Sequence, residues 1–126
     1  MATWKAAGDA AKSAIKLSTN LTKLEVNRNP HHVLGSLYTK TLRALAKMPQ
    51  DYAYRKHTEA ILNDRVSQLK ATTDLQLLEK NINCGQIEEV VIQAQYELRL
   101  ARHLLEVKSW EGLIEEAKPN QWKWPM

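Results

Sequence analysis

Residues 86–107, QIEEVVIQAQYELRLARHLLEV, decide how this chain folds. Ile87, Val90, Val91, Ala94, Leu98, Ala101 and Leu105 recur at three- and four-residue spacing. A helix of 3.6 residues per turn lays all seven on one face. Glu88 and Glu89 fall in the first turn, where negative side chains complement the positive end of the helix dipole. A helix with so continuous an apolar face needs other helices against it, and the flanking sequence supplies them.

Upstream, the stretch ATTDLQLLEKNINCG connects to this helix through a short helical piece. Asp74, or Thr73, caps its start, and Leu75, Leu78 and Ile82 point one way. Gly85 is the expected C-terminal cap, because glycine takes positive φ cheaply. Before it, residues 51–70 read as a helix with Ile61, Leu62, Val66 and Leu69 as its apolar stripe and Tyr54 as an extension. Asp51, Arg55 and Glu59 are spaced four apart, so opposite charges stack along an exposed edge. The first main helix opens at Pro30, with Asn29 as N-cap. Leu34, Leu37, Tyr38, Leu42 and Leu45 repeat at helical spacing between Val33 and Met48, and Pro49 ends the helix. Short connections favour antiparallel neighbours, so the expected fold is all-α: a three-helix up-down bundle with an extended C-terminal tail. The division is residues 1–29 as an N-terminal segment, helical or irregular, 30–108 as the bundle and 109–126 as a Trp-rich tail.

Composition agrees with this. The chain has 126 residues, enough for one domain with one core. Four glycines and four prolines are too few for the many turns of an all-β fold. The net charge is +4, and it is unevenly placed. Residues 1–63 hold ten Lys or Arg against four Asp or Glu, whereas residues 64–126 hold eight against ten. A basic half suits nucleic acid, an acidic lipid surface or an acidic protein alike. A single cysteine, Cys84, excludes an intrachain disulfide and fits a reducing compartment. No apolar run approaches the roughly 20 residues of a membrane span. At the N-terminus, Trp4, Ala7, Ala11, Ile15 (or Ala14) and Leu21 form a weak amphipathic stripe without Arg and interrupted by Asp9. It reads either as an organelle-import segment or as a frayed terminal helix. It lacks the compact apolar core of a secretory signal.

The search for chemistry finds little. Cys84 with His57 or His103 makes a dyad only on paper, since no flanking motif supports it, and a small buried apolar residue is the plainer role for Cys84. His31 and His32 are adjacent and diverge by about 100° on a helix, and no paired-His or paired-Cys ligand motif occurs. Gly8, Gly35, Gly85 and Gly112 are isolated, so no phosphate-cradling loop is present. AYRKHTE at residues 53–59 mixes aromatic and basic side chains, as a small nucleic-acid-binding module would. It reads equally as a helix with two tyrosines leaning on the core and charges in water. The ending is different. Trp110, Trp122 and Trp124, three of the four tryptophans, lie beyond residue 108. Such a tail either folds back on the bundle or anchors in another protein, where Trp is enriched at binding hot spots. Pro125 stiffens it and lowers the entropy lost on docking. The expected partner contacts are Trp110, Trp122, Trp124 and Pro125, with Arg55 and Lys56 as rim charges.

Six features taken in order, LYTK at 37–40, Pro49, AYRKHTE at 53–59, GQIEEVVIQAQYELRLAR at 85–102, Trp110 and QWKWP at 121–125, resemble one family. It is the small accessory subunit of mitochondrial NADH:ubiquinone oxidoreductase, complex I, called alpha subcomplex subunit five. The resemblance runs from about Pro30 to the end. It implies a non-catalytic helical bundle that holds no flavin, iron–sulfur cluster or quinone. It implies other subunits of the matrix-side peripheral arm as partners, near the quinone module. It also implies no nucleic-acid partner, a membrane association made only through the complex, and import into mitochondria without a large cleaved presequence.

Overall fold

A computed structural model describes residues 16–125. Within them the chain forms four helices: α1 (Pro30–Ala46), α2 (Ala53–Ala71), α3 (Leu75–Ile82) and α4 (Ile87–Val107). The all-helical expectation holds, with no strand among the described residues. The count differs from three because the Leu75–Ile82 piece is a full helix. Asp74 Oδ1 accepts from the Gln76 N–H at 3.2 Å, and Leu78 is fully buried, so this short segment has both a cap and an anchor. The amphipathic stripe over Trp4, Ala7, Ala11 and Ile15 lies outside the described residues.

Helix α1 is the centre of the molecule. It packs most extensively on α4 and also on α2, while α3 packs on α2. Leu34, Tyr38, Thr41, Ala44 and Leu45 are its buried positions, a single arc with the i, i+3/i+4 spacing. From α4 they meet Ile87, Val90, Val91, Ala94, Leu98 and Ala101, the face the sequence marks. Thr41 joins this core because its Oγ1 donates to the Leu37 carbonyl at 2.9 Å, which removes the cost of burying a free hydroxyl. Pro30 sits in the first turn of α1, where its missing N–H costs nothing. Asn29 does flank the helix start, but its side chain makes no cap bond.

Three local expectations change. Ile61 was placed in the apolar stripe of α2, yet it is 55% exposed, whereas Leu62 is buried. The reason is that α2 and α4 both pack on α1 and scarcely on each other, so nothing closes over Ile61. The C-cap of α3 is Asn83, with φ 54 and ψ 40, rather than Gly85. Asparagine also tolerates the left-handed region. Gly85, at φ +88, makes the turn into α4 instead. Beyond α4 no helical turn forms in SWEGLIEE. Lys108 takes φ 51, and a single turn closes from the Glu111 N–H to the Lys108 carbonyl at 3.0 Å. The rest of the tail is irregular, with further turns closed by Gln121 N–H to Lys118 O at 3.2 Å and Lys123 N–H to Asn120 O at 3.1 Å.

Two glycines predict opposite outcomes. A Cβ at Gly35, inside α1, would meet only Leu69 Cδ2 at 3.8 Å, an ordinary contact. Gly35→Ala is expected to stabilise by about 0.5–1 kcal/mol in urea denaturation, through helix propensity. A Cβ at Gly85 would lie 2.1 Å from the Glu89 carboxylate, which is folded back to accept from the Gln86 N–H. Gly85→Ala is expected to destabilise by about 1–3 kcal/mol, since strain at positive φ adds to the lost cap.

Candidate interaction surface

Of the expected contact residues, Arg55, Lys56 and Trp110 lie at the end of the bundle where α1 stops, α2 starts and α4 finishes. Pro49 ends α1, and a tight turn from the Tyr52 N–H to the Pro49 carbonyl starts α2. Tyr52 and Tyr54 lean on the core as the sequence suggests. The Tyr54 hydroxyl donates to Glu97 of α4. Burial first, and then the neighbouring carboxylate, push that hydroxyl's pKa far above its usual 10, so it stays a donor. Trp110 comes next. The left-handed turn at Lys108 returns the Ser109 N–H to Leu104 O at 3.2 Å and swings Trp110 toward α2. Its ring meets Tyr52 edge-on, with centroids 6.0 Å apart, and Tyr52 in turn tilts against Tyr54 at 5.9 Å. The root of the tail is thus fastened to the bundle by three aromatic rings.

From there the chain leaves the surface. Leu113 and Ile114 are exposed, and Trp122 and Trp124 are each 88% exposed. Pro125 and the neighbouring lysines are in solvent as well. The two readings of the tail therefore divide: Trp110 packs on its own bundle, and Trp122 and Trp124 do not. The two basic residues of α2 divide likewise. Lys56 is exposed. Arg55 is partly buried, donating through Nη1 to the Met48 carbonyl beyond the end of α1 and through Nε to Glu59 Oε1 at 2.8 Å. The Arg55–Glu59 pair is the one the sequence spacing suggests. Asp51 does not join it, because α2 begins only at Ala53.

A second polar structure sits where α3 meets α4, and sequence reading missed it. Glu88 is a first-turn acid, as the sequence indicates, but it is only 3% exposed. Lys16 Nζ reaches Glu88 Oε2 at 2.9 Å, Glu79 Oε1 at 2.7 Å and Gln86 Oε1 at 3.3 Å. Glu79 Oε1 also accepts from the Ile87 N–H at 3.0 Å, satisfying one free donor at the start of α4. Gln86 Nε2 donates to Thr19 O at 2.8 Å, and the Asn27 N–H to Glu88 Oε1 at 3.4 Å. These bonds strap residues 16–29 across the junction. The only sequence signal was a lone Lys distant by about seventy positions from its partners, which no local pattern reveals. Among the described residues, no three His, Cys, Asp or Glu side chains converge as a metal site would need. No described helix is long and apolar enough to cross a membrane.

The fold and surface define a small helical protein with an outward-facing aromatic tail. Residues 23–89 match the family described as the ETC complex I subunit conserved region. The chain is 43% identical over 123 residues to the Probable NADH dehydrogenase [ubiquinone] 1 alpha subcomplex subunit 5 of Caenorhabditis elegans, covering 98% of this chain and 82% of that protein. It is 47% identical over 112 residues to NADH dehydrogenase [ubiquinone] 1 alpha subcomplex subunit 5 of Bos taurus, covering 89% of this chain and 97% of that one. It is 34% identical over 106 residues to the Arabidopsis thaliana protein of the same designation, there called probable and mitochondrial, covering 84% and 63%. The chain belongs to the complex I alpha subcomplex subunit 5 family.

The Lys16 strap gives a pH prediction. Burial alone would lower the Lys16 pKa, but hydrogen bonds and charge from Glu79 and Glu88 more than reverse it, so it lies above the usual 10.5. A raised lysine pKa contributes stability that is complete below the unfolded value and is lost as pH rises through the folded value. Lys16→Met should therefore cost on the order of 1 kcal/mol at pH 7. That difference should vanish above the folded pKa, as denaturant titrations at neutral and strongly alkaline pH will read.

Proposed function

We propose that this chain is a non-catalytic accessory subunit of mitochondrial complex I. It works on the matrix side of the inner membrane, in the peripheral arm near the quinone module. There it stabilises the arm through protein–protein contacts. Membership of the subunit 5 family supports the complex and the compartment. The observation that carries the contact mechanism is the 88% exposure of both Trp122 and Trp124 in a chain with only four tryptophans. Water around two indoles is unfavourable by roughly 25 cal/mol per Å² of apolar surface, so a partner that covers them gains binding energy directly.

The six candidate contact residues take different parts. Trp122, Trp124 and Pro125 dock into the neighbour, and Lys56 supplies a rim charge beside them. Trp110 and Arg55 hold the platform from which the tail departs, and meet the neighbour only through their exposed edges. The alternate apolar pair, Leu113 and Ile114, widens the same surface. Anchors of this kind, ringed by polar residues, carry most of the binding energy at protein interfaces.

Size fractionation of mitochondrial extract tests the assignment: the protein should co-migrate with NADH dehydrogenase activity, and a free monomer peak would sink it. Removal of residues 120–126 should release the protein from the complex while leaving its urea midpoint unchanged. Unfolding of the truncated chain would instead make the tail part of its own core. Trp122→Ala and Trp124→Ala should each weaken retention by about 30-fold, the size of a hot-spot loss near 2 kcal/mol.

A further inference from the structure

The excess positive charge of this chain belongs to one segment. Of its 18 Lys and Arg, four fall within residues 26–50, which contain no Asp or Glu. The fourteen that remain elsewhere equal the fourteen Asp and Glu in number. The net charge of +4 is therefore that of α1 and its two flanks.

The fold gathers this charge on one side. His32, Ser36, Lys40, Arg43 and Lys47 follow one another at four- and three-residue spacing, on the face of α1 turned away from Leu34, Tyr38 and Leu45. Lys40, Arg43 and Lys47 are exposed, and none of them forms an ion pair among the described residues. Like charges three and four positions apart on a helix repel. The helix dipole offsets this for Arg43 and Lys47 near the C-terminal end of α1, but Lys40 lies more than a turn further in. Nothing in the fold repays its position. Two shallow grooves flank the stripe. One, of about 410 Å³, is lined by Ser36, Thr39, Lys40 and Arg43 together with His31 and His32, and no described carboxylate borders it. The other, of about 480 Å³, runs between α1 and α4, where Arg102 extends the basic field and Glu106 is the one described carboxylate.

The surroundings of these cations select the partner. A lipid surface is held by cations together with apolar side chains that enter it, and a nucleic-acid strand by cations together with aromatic platforms. Among the described residues, α1 exposes no large apolar or aromatic side chain. An acidic protein segment needs only charges at matching intervals. Lys40 to Lys47 spans about 10 Å along the helix axis, two turns that a second helix repeats at the same pitch.

We propose that the outward stripe of α1 docks an acidic helix of another subunit, with Asp or Glu every three or four residues facing Lys40, Arg43 and Lys47. The charges fix the register of the two helices and exclude basic partners. This rests on the reading of the chain as a subunit of a larger assembly, and it adds a docking face separate from the tail.

A photo-crosslinking residue placed at Thr39, and separately at Trp122, in the full chain assembled in mitochondria tests it. The Thr39 probe should capture a peptide of another complex I subunit in which Asp or Glu residues lie three or four positions apart. Capture of a lipid, a nucleic acid, a second copy of this chain or a peptide without such acids would overturn the proposal. So would an unreacted Thr39 probe in protein that co-migrates with the complex and crosslinks from Trp122; that outcome leaves the subunit assignment standing. Failure to co-migrate at all would remove both. Lys40→Glu separates docking from packing. It should leave the urea midpoint of the free full-length chain as it was or raise it, because the new carboxylate meets Arg43 one turn on, and it should cut retention in the complex about tenfold. Lys40→Arg should be retained as well as the unaltered chain. Undiminished retention of Lys40→Glu, or a loss matched by a fall in the urea midpoint, would mean that the stripe is solvated surface only.

Discussion

The structure depends on one constraint: the apolar arc of α1 has to be covered from two sides at once. Leu34, Tyr38 and Leu45 are essentially inaccessible to water, and no single helix is wide enough to bury them. Helix α4 takes the larger share and α2 the smaller. Each is held by α1 rather than by the other, so the remaining features are consequences. The cleft between α2 and α4, the exposure of Ile61 and the burial of Tyr38 with an unanswered hydroxyl all follow from that arrangement.

Polar side chains then finish what burial begins. Each one works at a junction where backbone groups or charges would otherwise be stranded. Arg55 covers the carbonyl left free after α1, and Asp74 caps α3. Glu79 accepts from the first turn of α4. Glu88 is the costly member, because a carboxylate this deep must be paired. Lys16 and the Asn27 N–H provide the pairing, and in doing so they fix the segment that precedes α1 against the start of α4. Among the described residues, Tyr54 and Glu97 make the one side-chain hydrogen bond that spans α2 and α4 directly.

For a subunit of a large assembly, the division of aromatic residues is informative. Tyr52, Tyr54 and Trp110 form a fixed base, whereas Trp122 and Trp124 project from it. A rigid base limits the entropy that the tail loses on docking, so more of the indole burial appears as affinity.

The sequence by itself determined the helices, most of their buried faces and the family. Periodicity is local, so the seven positions of α4, the arc of α1, the stop at Pro49 and the cap at Asp74 were legible in the chain. Its six ordered features also named the kind of protein, and the comparisons agree. What only the tertiary structure decided is which residues face a neighbour and which face water. Ile61 fits the stripe of α2 as well as Leu62 does, and only the distance to α4 leaves it out. Glu88 and Lys16 are about seventy residues apart, and no pattern along the chain can pair them. The tail had two readings of equal standing in the sequence. It took the fold to split them, because the left-handed turn at Lys108 brings Trp110 onto Tyr52 while Trp122 and Trp124 stay exposed.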